Sequence, residues 1–193
     1  SDFLFDEQAM RDHILDCSLY STTSPYMNRV LIFGNSGGIG AALQEACTAK
    51  GYNVSGLSRR FHDLDLSDES KIISAIETLD GTFAQIFITT GALVVNSAEP
   101  EKTIRQFNSN AALDQFITNA LGPTLILKNI KKLIDKNSNC FIGVLSARVG
   151  SIGDNKLGGW YSYRASKAAL NQFIRTTAIE YSRSFPNLTC VAI

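Results

Sequence analysis

A chain of 193 residues, 45% of them hydrophobic, suits one domain around a single core. Its 18 basic residues balance its 18 acidic ones, which leaves no global charge to attract nucleic acid or an anionic membrane surface. No apolar stretch approaches the ~20 residues of a membrane span, so neither partner is expected.

Residues 1–26 read as an N-terminal appendage to a domain over 27–193. Phe3, Leu4, Phe5, Met10, Ile14 and Leu15 form a loose helical stripe with acids between them, unlike an Arg-rich transit peptide. Ser21-Thr22-Thr23-Ser24-Pro25 reads as a linker. From Asn28 onward, apolar strand runs alternate with helical stretches. Arg29–Phe33 is expected as a buried strand. Ile39–Lys50 follows as a helix, with Ala42, Leu43, Ala46 and Cys47 at helical spacing, and Gly51 stops it. Tyr52–Leu57 is the next strand. Ser67 reads as the N-cap of a helix reaching about Leu79, with Asp68 and Glu69 in its first turn. Gln85–Thr90 is a strand, and helices fill 101–108 and 111–135. Asn139–Leu145 is a strand, a long helix runs from Trp160 to Ser184, and Leu188–Ile193 begins another strand. The alternation predicts a single α/β domain with a doubly wound, Rossmann-type parallel sheet. The domain is expected to be cut short in or after its sixth strand, leaving its C-terminal part and some of the substrate site missing.

The four cysteines, Cys17, Cys47, Cys140 and Cys190, show no metal-type spacing. Three lie in apolar contexts and are expected as buried free thiols in a reducing, cytoplasmic compartment. His13 and His62 have no cysteines at ligand spacing, so no metal is expected. Lys128, Lys131, Lys132 and Lys136 form a basic helix end, which suits the helix dipole better than nucleic acid.

The glycine-rich turn Gly34-Asn35-Ser36-Gly37-Gly38-Ile39-Gly40 lies between the first strand and the first helix. Glycines allow a tight turn and let backbone approach a pyrophosphate. The helix that follows offers free N–H groups and the positive end of its dipole. A plain strand-to-helix turn is the alternative. After the second strand stands Ser58-Arg59-Arg60, where a carboxylate would bind the ribose hydroxyls of NAD. No acid competes there, and arginines pair with a 2′-phosphate, so NADP is expected, with NAD open. Solvated surface arginines are the alternative. Asp65-Leu66 can set a carboxylate near an adenine amino group.

Tyr163 and Lys167 lie one helical turn apart on one face. A free phenol has pKa ~10 and is a poor acid–base group at neutral pH. A neighbouring ammonium favours the phenolate and is expected to lower that value. Tyr161 has Ala165 at the same offset and gains no such help.

Over about Asn28–Ile193 these residues resemble the short-chain dehydrogenase/reductase family. Gly34, Gly38 and Gly40 match its Gly-x-x-x-Gly-x-Gly turn, and Tyr163 and Lys167 match its active-site pair. Asn119 matches the helix asparagine that holds a water in its proton relay. Thr89-Thr90-Gly91-Ala92 stands where the family usually has Asn-Asn-Ala-Gly; the glycine fits and the asparagines do not. The run Ser146–Ile152 and the block Gly158–Tyr163 look like the subgroup named for C-factor, a cell–cell signalling protein. The resemblance implies cofactor contacts from Gly34, Asn35, Ser36, Gly38, Ile39, Gly40, Ser58, Arg59, Asp65, Leu66, Thr90 and Gly91, besides Tyr163 and Lys167. The implied catalytic set is Tyr163, Lys167, Asn119 and Ser146. One departure concerns the serine. The family's Ser-Ser-x-x-Gly, counted back from Gly150, puts Ala147 in the catalytic place and Ser146 one residue early. Either the strand end bends so that Ser146 reaches the substrate, or the chain lacks this serine.

The resemblance implies an NADP-preferring carbonyl reductase or alcohol dehydrogenase acting on a small carbonyl or alcohol, with Tyr163 as general acid/base. The alternative is a dinucleotide-binding cell–cell signalling or regulatory protein with little turnover. Leu121, Leu125, Leu127 and Ile130, with Leu170, Phe173 and Ile174, widen the apolar faces of two helices beyond one stripe. A homodimer or homotetramer would bury that surplus; the alternative is that both faces meet only this chain.

Overall fold

The computed structural model describes residues 28–193; the appendage over 1–26, with His13 and Cys17, lies outside the described residues. Five parallel strands form one sheet: β1 (Arg29–Phe33), β2 (Asn53–Leu57), β3 (Gln85–Ile88), β4 (Cys140–Val144) and β5 (Leu188–Ala192). Their order is β2-β1-β3-β4-β5. In β1 Leu31 pairs with Ser55 of β2 on one side and Ile86 of β3 on the other.

Alternation along the strands splits the apolar residues between two faces. Leu31, Phe33, Ile86, Ile88, Ile142 and Val144 face the larger core; Val30, Ile32, Phe87 and Phe141 face the smaller one. The helices are α1 (Gly38–Ala49), α2 (Arg59–His62), α3 (Glu69–Glu77), α4 (Ser109–Phe116), α5 (Gly122–Asn129) and α6 (Tyr161–Ser182). Helix α1 closes the smaller core with Leu43 and Cys47. Helices α3, α5 and α6 close the larger one with Ile72, Ile76, Ile126, Leu127, Leu170 and Ile174. This is the doubly wound arrangement read from the alternation.

Several local expectations are corrected. The stretch over 101–108 forms only a short 3-10 turn, Ile104–Gln106. The helix expected over 111–135 is broken into α4, a π-helical turn at Ile117–Leu121, and α5. Ser67 does not cap α3. Asp68 does, accepting the Ser70 N–H, while Ser67 turns back to Asp65. Between β2 and β3 the chain forms α2, this Asp65 turn and α3, so the strand at Leu188 is the fifth of the described strands and not the sixth. Leu127, Ile130, Leu170 and Ile174 are buried in the chain's own core, whereas Leu113, Leu121 and Ile179 are exposed.

Cys47, Cys140 and Cys190 are buried thiols, as expected. Burial pushes Cys140 and Cys190 up to about 12, which suppresses the thiolate. Two lysines of the basic helix end pair with neighbouring helices: Lys128 with Glu69 at 2.7 Å and Lys131 with Glu180 at 3.0 Å. Among the described residues no helix is long and apolar enough to cross a membrane.

Candidate active site

The ends of β1, β2, β3 and β4 open onto one edge of the sheet, where ligands of such folds bind. At the end of β1 the chain turns through Gly34 at φ 90°, a left-handed value that favours glycine. The Gly34 N–H donates to the Leu57 carbonyl at 2.7 Å, and its carbonyl accepts the Gly37 N–H at 3.0 Å. Helix α1 comes so close that a Cβ at position 40 would stand 2.3 Å from the Gly34 oxygen and 2.7 Å from Thr89 Oγ1. Gly38 differs, since a Cβ there would meet nothing within 4 Å. Gly37 caps α1 without a side-chain bond, so the cap residue itself leaves the N-terminal N–H groups of the helix unoccupied. Ser36, Gly38 and Ile39 line the exposed mouth.

Asn35 is held in the fold by its side-chain amide. Its Nδ2 donates to Gln44 Oε1 at 2.8 Å and would stand 2.1 Å from a Cβ at position 56. Gly56 in β2 is therefore what admits the Asn35 amide, a role the strand pattern did not reveal.

Ser58 follows β2 and is 1% exposed, whereas Arg59 and Arg60 are exposed. The Arg60 guanidinium lies over Phe61, 5.3 Å from the ring centroid. Asp65 Oδ1 accepts from the Ser67 hydroxyl at 2.7 Å and the Ser67 N–H at 2.9 Å. Those bonds hold its carboxyl below the usual range and build it into the turn before α3. Leu66 wedges against Gly122 of α5, where a Cβ would come within 2.5 Å of Leu66 Cβ.

Two hydroxyl oxygens on this edge, Ser58 Oγ after β2 and Thr90 Oγ1 after β3, are buried without a hydrogen-bond partner among the described residues. Leaving a buried hydroxyl unsatisfied costs about 1–3 kcal/mol. With the open space over Gly38, they fit a polar ligand that lies along the edge on the glycine turn. A dinucleotide meets that description.

At the other end of the edge, Lys167, Asn119 and Gly91 converge. Gly91 sits at φ 138°, and a Cβ there would stand 2.8 Å from Asn119 Oδ1 and 3.2 Å from Lys167 Nζ. Asn119 lies on the π-helical turn, a feature frequent at functional sites. Its Oδ1 accepts the Ala92 N–H at 2.9 Å, and its Nδ2 donates to the Ala92 carbonyl at 2.8 Å and to Gln115 Oε1 at 2.6 Å. Gln115 in turn donates to the Leu93 carbonyl at 2.7 Å. These amides hold the loop after β3 in place. Gln115 was missed in the sequence; its position four residues before Asn119 was the available signal. Thr89, where the family has asparagine, donates to the Phe33 carbonyl at 2.8 Å and ties β3 to β1.

Lys167 is 2% exposed and donates from Nζ to the Leu145 carbonyl at 3.0 Å. Burial pulls its pKa down to about 8. Tyr163 is half-buried one turn earlier, with Nζ 5.9 Å from its ring centroid. The expected lowering of the phenol is not found. Burial pushes it up, and the ammonium faces the ring and the Leu145 carbonyl. Lys167 gives a pH prediction. Its folded value, about 8, lies below the ordinary lysine value of 10.5, so this group's contribution to stability is fully present above the unfolded pKa and is lost as pH falls through about 8. Side-chain NMR of the ligand-free protein should find one lysine titrating near that pH, and Lys167→Arg should remove the resonance. A full set of lysines titrating in the ordinary range would contradict the burial.

Ser146 does not join this cluster. Its Oγ donates to Asn171 Oδ1 at 2.5 Å, and its N–H to the Ile193 carbonyl at 2.6 Å. Asn171 is two turns beyond Tyr163 on α6, ~12 Å of helix rise away. The hydroxyl braces the end of β4 against α6.

Sequence reasoning also missed Glu101, which is buried against the start of α6. Ser162 donates to it from both its N–H, at 3.2 Å, and its hydroxyl. The two residues are 61 positions apart and no local pattern links them.

Residues 30–192 match the NAD dependent epimerase/dehydratase family. The chain is similar to 1-hydroxy-2-glutathionyl-2-methyl-3-butene dehydrogenase of Rhodococcus sp. (strain AD45), 44% identical over 57 residues, 30% of this chain and 24% of that one. It is also similar to C-signal of Myxococcus xanthus, 34% identical over 65 residues, 34% of this chain and 39% of that one. These matches therefore span well under two thirds of either relative's length. Among solved structures, one assigned to the short-chain alcohol dehydrogenases of Burkholderia multivorans superposes with a TM-score of 0.74 at 28% identity, covering 86% of this chain and 81% of that one. A short-chain dehydrogenase/reductase structure from the same organism, with bound NADP, superposes with a TM-score of 0.67 at 26% identity, covering 84% and 76%.

Proposed function

The chain belongs to the NAD dependent epimerase/dehydratase family and is of the short-chain dehydrogenase/reductase kind, and from that premise we propose that it is an NADP-preferring oxidoreductase reducing a small ketone or aldehyde to an alcohol. The observation that carries the reading is the shared edge: the glycine turn after β1, an unsatisfied hydroxyl after the strand on either side of it, and Tyr163 with buried Lys167 beyond. When bound, the nicotinamide supplies the hydride. Gly34, Gly38, Gly40 and the α1 N-terminus would hold the pyrophosphate, and Ser58 and Thr90 would give their hydroxyls to it or its riboses.

Tyr163 would donate its Oη proton to the carbonyl oxygen as charge develops there. A phenol raised by burial stays protonated at neutral pH, which suits the acid of a reduction. Lys167 spends one of three donors on Leu145, leaving others for a ribose hydroxyl and a positive field for the forming phenolate. Asn119 would act by holding the Gly91–Ala92 turn against the cofactor.

Arg59 is proposed to read the 2′-phosphate, since it is exposed next to buried Ser58 and its sequence neighbours are not acidic. Losing a charge-assisted bond costs about 1.5–3 kcal/mol. Arg59→Ala should therefore weaken NADPH roughly 10- to 150-fold and NADH by no more than about twofold. Equal losses for both in a binding titration would overturn the NADP preference.

A second reading, a dinucleotide-binding regulator with little turnover, draws on Ser146 being tied to Asn171 and on the likeness to C-signal. Steady-state assays with small ketones, aldehydes and quinones separate the two. Tight NADPH binding with no turnover on any of them would favour the regulator.

A further inference from the structure

Helix α6 carries both Tyr163 and Lys167, so whatever fixes its first turn fixes the acid–base pair. Its N-cap residue, Trp160, supplies no side-chain bond to the helix. The first N–H groups of a helix need acceptors from elsewhere. Glu101, 7% exposed, provides them from the loop between β3 and α4. Its Oε2 accepts the Ser162 N–H at 3.2 Å, its Oε1 accepts the Ser162 hydroxyl, and its main-chain carbonyl accepts the Trp160 N–H at 2.5 Å. Ser162 is the second residue of the helix, the position whose N–H an N-cap side chain ordinarily satisfies. A carboxylate there also meets the positive end of the dipole. Burial opposes the charge on Glu101, but its hydrogen bonds outweigh that and hold the carboxyl below its usual range.

The backbone leading in is unusual. Gly158, Gly159 and Trp160 all have positive φ, at 67°, 67° and 53°. Tryptophan seldom adopts this conformation, and such conformers persist only where the surroundings impose them. The run brings the Trp160 indole edge-to-face with Tyr163, centroids 6.2 Å apart and planes at 72°. The loop that carries Glu101 is held at its other end by Asn119 and Gln115, through Ala92 and Leu93. One segment thus connects the Gly91 turn to the start of the tyrosine helix.

We propose that Glu101 is a positioning residue that, through Ser162 and Trp160, sets the Tyr163 phenol against the bound dinucleotide and couples α6 to the loop after β3. The proposal rests on the oxidoreductase reading for its effect on turnover, and on the geometry alone for its effect on Trp160. Because Trp160 is the only tryptophan of the chain, its emission reports this junction in the ligand-free protein.

The test compares Glu101→Ala and Glu101→Gln with the full wild-type chain. The glutamine amide can accept the Ser162 N–H and donate to its hydroxyl, so it keeps the bonds and loses only the charge. In Glu101→Ala, Trp160 anisotropy should fall and its emission shift to the red. Its kcat should drop about 10- to 100-fold, with KM and the Kd for NADPH changing less than about threefold. Glu101→Gln should restore the Trp160 signal and bring kcat to within about threefold of wild type. If Glu101→Ala does not fold, Ser162→Ala, which removes one of the three bonds, should show the same Trp160 shift in smaller measure. An alanine variant with wild-type Trp160 anisotropy overturns the inference, whatever the turnover. So does a folded one with a lower melting temperature and unchanged kcat, as a purely structural cap predicts. A wild-type protein inactive on every carbonyl overturns the oxidoreductase reading instead, and the Trp160 comparison still decides the inference.

Discussion

Tyr163→Phe should lower kcat for carbonyl reduction by 10²- to 10⁴-fold, the usual contribution of a positioned proton donor, and leave the Kd for NADPH within about twofold. The ring keeps its half-buried place against Trp160, so the substitution removes the hydroxyl and little else. Both arms of the measurement matter. Single-turnover kinetics with saturating NADPH give the chemical step, and quenching of Trp160 gives cofactor affinity. Equal loss of both would mean that the phenol holds the cofactor and does not serve as the acid. Turnover at the wild-type rate would remove Tyr163 from the mechanism, with Tyr161, at 38% exposure on the same helix, the next phenol to test.

The second large effect is expected at the glycine turn, where two glycines do different work. Gly40→Ala puts a Cβ 2.3 Å from the Gly34 carbonyl oxygen and 2.7 Å from Thr89 Oγ1. Neither neighbour yields readily: one is backbone, and the other is a short side chain already bonded to the Phe33 carbonyl. Helix α1 must move away from the turn, at a cost of about 1–3 kcal/mol in stability. Gly40→Ala should therefore melt several degrees lower and bind dinucleotide at least ~10-fold more weakly. Gly38→Ala is the sharper test, because its Cβ would meet nothing within 4 Å of the protein itself. It should melt like wild type and still lose dinucleotide affinity, since the methyl clears the described residues and would obstruct a ligand over the loop. A Gly38→Ala variant that binds NADPH as well as wild type would show that no phosphate passes there.

The parts of this protein readable from residues alone are those that depend on near neighbours. The apolar runs at Val30–Phe33 and Cys140–Val144 can only be buried strands in a sheet covered on both faces, and they are. The glycine turn is legible because positive φ and close approach demand glycine at short spacing. Tyr163 and Lys167 share a helical face because 3.6 residues make a turn. Where local preference and tertiary packing compete, reading along the chain fails. Ile117–Leu121 has ordinary helical composition, yet it opens into a π turn where the Asn119 amide spans the backbone of Ala92.

Contacts across the chain carried no such signal. Which hydroxyl meets Asn171, that Gly56 admits the Asn35 amide, and that Glu101 caps a helix 61 residues later depend on how the loops fold over the sheet edge. The direction of the Tyr163 shift belongs with these. An ammonium four residues away argues for a lowered phenol, but burial is a property of the assembled core and turns the shift upward. Periodicity and backbone sterics act over a few residues, which is why the sheet, the glycine turn and the shared helical face of Tyr163 and Lys167 can be read along the chain. How those two side chains are held, and what burial does to their protons, came from the fold, because hydrogen bonds between distant loops and removal from water exist only once the chain has folded.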